Sequence, residues 1–521
     1  MTGGGRVQIT DRDGRNSAAT ARVVNGRLLV DSGGGGGGTS DVNIVEVGGN
    51  PVGTEVPVND GGGSLTVDGT VDVGNLPAVQ SVDDNGGSLT VDGTVDVGNL
   101  PAVQSVDDNG GSLTVDGTVS VDNLPAAGSN VPVAFGDGPA IDAFDRLRVS
   151  NPQGLFESTL TYDKQPLLWN EELTGGATST HLPNQSAVAM VVTSSGDSVV
   201  RQARDYFRYQ PGKSQLIFLT FNFGAGDANV RKRVGFFDDN NGIYLEEING
   251  ALAFSIRSFT SGAVVDNRVA QANWNLNTFG GLDPTKAQIC IIDYEWLGVG
   301  RVRVGFVIDG IVTYAHEFLH ANLIQTVYMS SGQLPVRLET VATGAPGAAN
   351  TFLGICCSVI SEGGQEEDIG FPFSIGMSAP KATSGTRDPV LSIRPKATFN
   401  GLTNHVQIIQ RQVEVFNAGN GVAFVELIYN GTLTGASFAS VDASSVVEYD
   451  TAASAISGGI VVLSFYVGAT NQSKVSVQTS ITGRLPLTLD LAGANPTPLT
   501  VCVTEIGSVS AYAAMNWQEY R

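Results

Sequence analysis

Ser64-Leu-Thr-Val-Asp-Gly-Thr-Val-Asp-Val-Gly-Asn-Leu-Pro-Ala-Val-Gln80 returns unchanged from Ser88, and a third time from Ser112, where it decays near Ala127. The period is 24 residues. A fixed period in this range marks a stacked-repeat architecture, in which no unit buries its own apolar face alone. Asp68-Gly69 is a hairpin signal, yet a hairpin there leaves neither face apolar. One extended strand places Leu65, Val67, Gly69, Val71 and Val73 on one side, with Thr66, Asp68, Thr70 and Asp72 on the other. Asn75-Leu-Pro77 then ends the strand and Asp83-Asp-Asn-Gly-Gly87 turns the chain. Three single strands make no core by themselves. They make one if three identical chains each supply a wall, which predicts a trimeric prism-like or β-helical stalk. An intramolecular meander packed on the next domain is the alternative. The third copy, with Ser120 in place of Asp and Asp122 in place of Gly, suits a capping repeat.

The rest of the 521-residue chain uses the same vocabulary. Charged residues are 15% and Gly numbers 66; Val, Thr, Ser and Asn abound, which is the composition of strands and turns. The expected fold class is all-β. Net charge is −22, and no Lys or Arg lies between Arg27 and Arg146 while that stretch holds 18 Asp and Glu. Such one-sided charge argues against nucleic acid, whose affinity comes from cationic neutralisation of phosphates, and against anionic membrane surfaces. The four cysteines, Cys290, Cys356, Cys357 and Cys502, lack metal-ligand or disulfide spacing. They read as buried free thiols of a protein assembled in a reducing cytoplasm. Met1-Thr-Gly-Gly-Gly5 is no signal peptide, and apolar runs such as Gly459 to Val467 are short for a membrane span.

Composition divides the chain. Residues 1–40 read as an anchoring β arm, with strands at Val7-Gln-Ile9 and Arg27-Leu-Leu-Val30, and a linker at Gly33 to Gly38. Residues 41–127 are the stalk and 128–150 a connector. Residues 151–378 carry most of the aromatics, and their short strands and tight turns predict a lectin-like β-sandwich or jelly roll. The strands expected there are 215–223, 230–237, 243–247, 251–258, 288–296 and 302–309. Residues 379–521 predict a second β-sandwich, with strands at 406–414, 422–429, 459–467, 474–479 and 499–505.

Three stretches resemble one family of tailed-bacteriophage virion proteins: Ala143-Phe-Asp-Arg-Leu-Arg-Val-Ser-Asn-Pro152, Tyr206-Phe-Arg-Tyr-Gln-Pro-Gly-Lys-Ser-Gln215 and Asp293-Tyr-Glu-Trp-Leu-Gly-Val-Gly-Arg-Val-Arg-Val-Gly-Phe306. The resemblance runs from about residue 140 to the end, and the Val-Asp-Gly-Thr-Val repeats resemble phage fibre stalks. It implies a structural, fibre-like virion component and release by lysis. It implies no defined catalytic act.

Several constellations invite chemistry. His316-Glu317-Phe318-Leu319-His320, with Glu339 beyond, matches a zinc-peptidase pattern that needs both histidines on one helical face. Here the segment is entered as a strand, which points Glu317 away from both, so a structural pair of histidines is expected and no metal. Asp293 and Glu295, two apart beside Trp296, place two carboxylates on one strand face, as in glycoside hydrolysis. The plainer reading is a solvated face or an ion pair with Arg301 or Arg303. Asp238-Asp-Asn-Asn-Gly242 and Asp83 to Gly87 offer oxygens to Ca²⁺ without a full calcium loop, so plain turns are expected. Arg201, Arg204 and Arg208 with Arg231, Lys232 and Arg233 read as partners for acidic surfaces of neighbouring subunits. Trp274 and Trp296 are candidates for sugar stacking, against core packing.

The sequence therefore predicts a non-enzymatic homotrimeric appendage of a phage virion. It needs no cofactor, binds other virion proteins through its N-terminal arm and presents its sandwiches for host-surface glycan. A capsid-decorating or neck and baseplate connector without a receptor role is the first alternative, and a tailspike depolymerase the second.

Overall fold

The computed structural model describes residues 20–24, 27–31, 66–68, 90–92, 141–143, 146–149, 151–363, 370–469, 473–478 and 485–521. The chain divides into two compact units, Met1–Val131 and Pro132–Arg521.

In the first unit, Thr20–Val24 and Arg27–Asp31 form an antiparallel pair. The second of these is the expected strand at Arg27; the one expected at Val7 to Ile9 lies outside the described residues. Thr66–Asp68 pairs in parallel with Thr90–Asp92, and the register sets Thr66 against Thr90, Val67 against Val91 and Asp68 against Asp92. Each residue thus meets its own counterpart one period later. The continuation through Gly69 to Val73, the turn at Asp83 to Gly87 and the glycine linker lie outside the described residues.

The second unit holds two hydrophobic cores. The larger lies between two antiparallel sheets. One has the order Ile311–Phe318, Val302–Ile308, Gln288–Tyr294, Gln215–Asn222, Asn350–Ser361, Ala187–Val192 and Thr178–Leu182, and Gln153–Ser158 also pairs with Asn350–Ser361. The other runs Val265–Ala270, Ala251–Ser258, Gly242–Ile248, Val230–Phe237, Val336–Ala342, Ser198–Ala203 and Trp169–Thr174. Strict alternation explains the packing. In Gln215–Asn222, Ile217, Leu219 and Phe221 turn inward and are at most 1% exposed, and each such side chain contributes roughly 1.5–3 kcal/mol on burial. Phe221, Phe223 and Phe352 meet with ring centroids 4.5–6.3 Å apart.

The smaller core lies between a sheet ordered Phe371–Gly376, Ser510–Tyr520, Gln407–Asn417, Ser473–Gln478 and one ordered Ala439–Ser440, Val447–Asp450, Asp388–Pro395, Leu499–Ile506, Val422–Tyr429, Ile460–Val467. Ala511, Ala513, Met515 and Trp517 alternate into it. Glu519 continues the same inward row and is fully buried, accepting from Ser445 Oγ (2.6 Å), the Val446 amide (3.1 Å) and Trp517 Nε1 (3.1 Å).

The two sandwiches meet along a seam. The Tyr206 and His405 rings stack at 3.7 Å, the Arg208 guanidinium lies 4.8 Å from the Tyr520 ring, and Gln407 Nε2 donates to Asp205 Oδ2 at 3.4 Å. Burial raises the Asp205 carboxyl to about 7 and lowers His405 to about 4.

Two sequence expectations change. The basic clusters do not wait for neighbouring subunits. Arg201 is buried against Glu171, Arg233 pairs with Glu246 and Glu339, and Arg231 lies 3.6 Å from Glu339. Lys232, wholly buried, donates to the Phe223 and Ala225 carbonyls at 2.6 and 2.7 Å and sits 3.3 Å from Glu247. Such groups enter an interior only when paired, and the pairs come from the neighbouring strands. The thiols are free, but Cys356 is exposed while Cys290, Cys357 and Cys502 are buried. Among the described residues no helix is long and apolar enough to cross a membrane.

Candidate functional site

The strand Gln288–Tyr294 carries Ile292 and Tyr294 into the core. Asp293 therefore faces the other way, and Glu295, one residue past the strand, lies on its side. The expectation that the two share a face is met. That face is not open: both carboxylates are fully buried. Residues 141–143 and 146–149 cover them, a contact between segments about 145 residues apart in sequence.

Asp293 Oδ2 accepts from Arg148 (2.5 Å), Arg303 (2.6 Å) and the Tyr314 hydroxyl (2.8 Å). Arg148 also meets Glu362 at 2.6 Å. From the opposite direction, Arg303 donates to the Ile141 carbonyl at 2.7 Å and Arg301 Nε to the Ala143 carbonyl at 2.9 Å. Asp142 folds back on Arg146, accepting from its amide at 2.9 Å and its Nε at 2.7 Å. The covering segment and the sheet thus each lend arginines to the other. Glu295 accepts from the Tyr209 hydroxyl at 2.7 Å and lies 3.8 Å from Arg146. Burial outweighs these favourable contacts and pushes its carboxyl up to about 7. Burial and Glu295 together raise the Tyr209 phenol.

Chemically, the pair combines a carboxyl protonated near neutrality with one held by two guanidinium groups. The sealed face gives a substrate no place beside them, and the arrangement acts as a fastening between segment and sheet. Arg303, named in the plainer reading of the sequence, is a partner of Asp293. Arg301 instead holds the Ala143 carbonyl and approaches Glu317 at 3.5 Å.

The other candidates fall as follows. Trp274 is 4% exposed, packs on Phe254 and Phe306 at 4.9 and 6.0 Å, and belongs to the core. Trp296 is half-buried; its Nε1 donates to the Met329 carbonyl at 3.1 Å and its ring meets Tyr209 edge-on at 5.9 Å. His316 Nδ1 accepts from the Asn275 amide at 3.1 Å. His320 Nδ1 bonds the Gly300 carbonyl at 2.7 Å, and its ring stacks on Tyr328 at 4.1 Å. Glu339 is taken by Arg233 and Arg337 on the opposite sheet. No group of three or more metal-ligating side chains occurs among the described residues. Asp238 Oδ1 accepts from the Asn240 and Asn241 amides, both at 2.7 Å, closing a turn on itself.

A second array was missed by sequence reasoning. On the outer face of the sheet containing Val230–Phe237, Arg257 grips Asp266 with two bonds at 2.9 and 3.0 Å. Arg268 reaches Glu246 at 2.7 Å, Arg233 joins Glu246 to Glu339, and Arg337 joins Glu339 to Asp239. Tyr244 lies under Arg233 and Arg257, with ring distances of 4.8 and 5.4 Å, and burial pushes its phenol up to about 12. The signal was the opposed sign of Val230-Arg-Lys-Arg-Val234 and Leu245-Glu-Glu-Ile248, which become cross-strand partners.

No family model and no curated protein matches the chain. Among solved structures, β-agarase A in complex with oligoagarose is 12% identical, covers 40% of this chain and 92% of its own, with a TM-score of 0.29. A Bacillus licheniformis β-glucanase is 9% identical over 40% of this chain and 98% of its own, TM-score 0.27. A legume lectin-like domain from Entamoeba histolytica is 10% identical over 36% of this chain and 89% of its own, TM-score 0.24.

Proposed function

We propose that this protein is a structural component of a tailed-bacteriophage virion: a homotrimeric appendage that attaches by its N-terminal arm and presents its sandwiches to host-surface glycan. The observation that carries the reading is the parallel pairing of Thr66, Val67 and Asp68 with Thr90, Val91 and Asp92, each with its counterpart one period later. Stacking of that kind builds a rod along its own axis and satisfies backbone groups on the strand edges. It leaves the row containing Leu65, Val67, Val71 and Val73 to be covered, and two further copies of the chain supply that cover. The acidic opposite side stays in water. The internal pairing of Asp293 and Glu295 supports a role of display over one of hydrolysis.

Sedimentation equilibrium of the intact protein is expected to return three times the chain mass. Antibody labelling is expected to place the C-terminal sandwich at the outer end of an appendage on the particle. A monomer at micromolar concentration overturns the trimer. Labelling buried between other virion proteins favours the connector without receptor.

A further inference from the structure

The seam between the two sandwiches is built round an acid with little to hold it. Asp205 lies two residues past the strand Ser198–Ala203 of the larger sandwich. Among the described residues its side chain makes one hydrogen bond, accepted from Gln407 Nε2 of the smaller sandwich at 3.4 Å, and no ion pair. Gln407 Oε1, the other half of that amide, is buried and has no partner. Both residues are fixed from behind. The Arg204 amide donates to the Leu168 carbonyl at 2.8 Å, and Gln407 opens the strand Gln407–Asn417, where the register sets it against Tyr520. Asp205 also borders a cavity of about 160 Å³ that Leu155, Phe156, Leu168 and Pro486 make largely apolar.

The other titratable groups of the seam are engaged elsewhere. Arg204 Nε donates to the Pro166 carbonyl at 3.1 Å, and Arg208 lies against the Tyr520 ring. Asp490 accepts from the Ala494 and Asn495 amides at 2.8 and 3.1 Å. The Tyr429 hydroxyl donates to the Pro486 carbonyl at 2.9 Å, and Tyr206 accepts from Gln202 at 3.3 Å. Glu157 stands exposed at the cavity rim. His405, stacked on Tyr206, has its basicity lowered by burial and is neutral near pH 7. None of these groups pairs a cation with Asp205.

The match between the two side chains depends on one proton. A protonated carboxyl has an acceptor and a donor, and a primary amide facing it has a donor and an acceptor, so the two join by a pair of bonds. An ionised carboxylate only accepts. It leaves Gln407 Oε1 bare and puts an unpaired charge in the seam, and both carry a cost. We infer that Asp205 is a proton-operated latch: with its proton it holds Gln407 by both ends of the amide and keeps the two sandwiches joined, and without it the seam loosens. Burial raises this carboxyl from 3.8 to about 7. The latch is therefore full below 3.8 and is lost as pH rises through 7. His405 opposes it only on the acid side, losing its contribution from 6.5 through 4. The latch lies within one chain and stands apart from the trimer.

The test is amide hydrogen exchange of the intact protein at pH 5.5 and 8.5, read by mass spectrometry and corrected for the intrinsic rate at each pH. Peptides covering 204–208, 404–408 and 486–490 report the seam. Their protection is expected to fall by about tenfold from the lower pH to the higher, while the core strands Gln215–Asn222 and Leu499–Ile506 keep theirs. Asp205→Asn carries a neutral carboxamide at every pH, keeps both bonds to Gln407 and should abolish the step. Equal seam protection at the two pH values overturns the inference on the wild-type protein alone. A step that survives Asp205→Asn also overturns it, because another group then titrates. So does a step shared equally by the core strands, which reports a general loosening and no latch.

Discussion

The two sandwiches solve the problem of polar sheet faces in different ways. The larger one covers its outer surfaces with arginine and carboxylate in mutual contact, at Asp293 with Arg148 and Arg303 and across Glu246, Glu339 and Asp266. The smaller has fewer such pairs, Arg387 with Glu426, Arg394 with Glu448 and Lys474 with Glu414, and beside them sets the amides of Gln412, Asn516 and Gln518 next to Arg411. Paired charges close a surface, because each group leaves water only in the company of its partner, and disturbing either strands the other. The larger body is thereby held in shape by contacts between charges that neither partner can leave alone.

The sharpest way to break this contrast is Arg303→Ala. It leaves Asp293 buried with one cation fewer, and a loss of about 3–5 kcal/mol is expected for the larger sandwich. Arg411→Ala removes bonds from a half-buried group and should lower the stability of the smaller one by about 1 kcal/mol. Urea unfolding followed by tryptophan fluorescence compares them; equal losses erase the distinction. The double change Arg303→Met with Asp293→Leu should recover most of the first loss, since a buried ion pair replaced by apolar groups is often neutral.

A smaller effect comes from pH. Glu295 has its carboxyl raised from 4.5 to about 7 in the folded state. The folded protein therefore binds this proton more tightly than the unfolded chain, and stability is full below 4.5 and falls as pH rises through 7. Glu295→Gln should flatten that fall. The melting temperature of variant minus wild type should climb from pH 4.5 to 7 and then level; a flat difference curve would mean the group does not titrate there. Asp205 acts in the same direction at the seam. His405, lowered to about 4, acts in the opposite one, losing stability as pH falls from 6.5 through 4. The variant-minus-wild-type curve leaves both out. The smallest effect belongs to the surface pair of Lys474 and Glu414 at 2.8 Å, where Lys474→Ala should change the unfolding free energy read from the urea curve by less than about 0.5 kcal/mol.

The strands that sequence reasoning found are those whose alternation is complete. Gln215–Asn222, Val230–Phe237 and Val422–Tyr429 fall within a residue of expectation: Ile217, Leu219 and Phe221 alternate in the first, and branched and aromatic residues dominate the other two. Ser510–Tyr520 was missed although it pairs along nearly its whole length with Gln407–Asn417. Its inward row is Ala511, Ala513, Met515, Trp517 and Glu519, and two alanines and a carboxylate give no apolar alternation. At the site, the shared side of Asp293 and Glu295 was legible, since it follows from a period of two. The cover was not. Nothing local in Arg146-Leu-Arg148 says that it returns to a strand 145 residues later. Trp274 was legible as an aromatic beside polar residues, but the turn at Gln271–Asn273 that carries it inward was not.

The fastening of residues 141–143 and 146–149 has a mechanical consequence. Tension arriving along the chain from the N-terminal unit reaches these residues before it reaches any strand of the larger sandwich. Pulling Ile141 to Ala143 free means breaking the carbonyl bonds from Arg303 and Arg301, and pulling Arg148 free means separating it from both Asp293 and Glu362. Rupture has to proceed through a cluster of short buried contacts, while Gln153–Ser158, the first strand behind them, is shielded from peeling off its sheet. A pull applied ahead of Ile141 would load this cluster first, and the sheet behind it only after the cluster gives way.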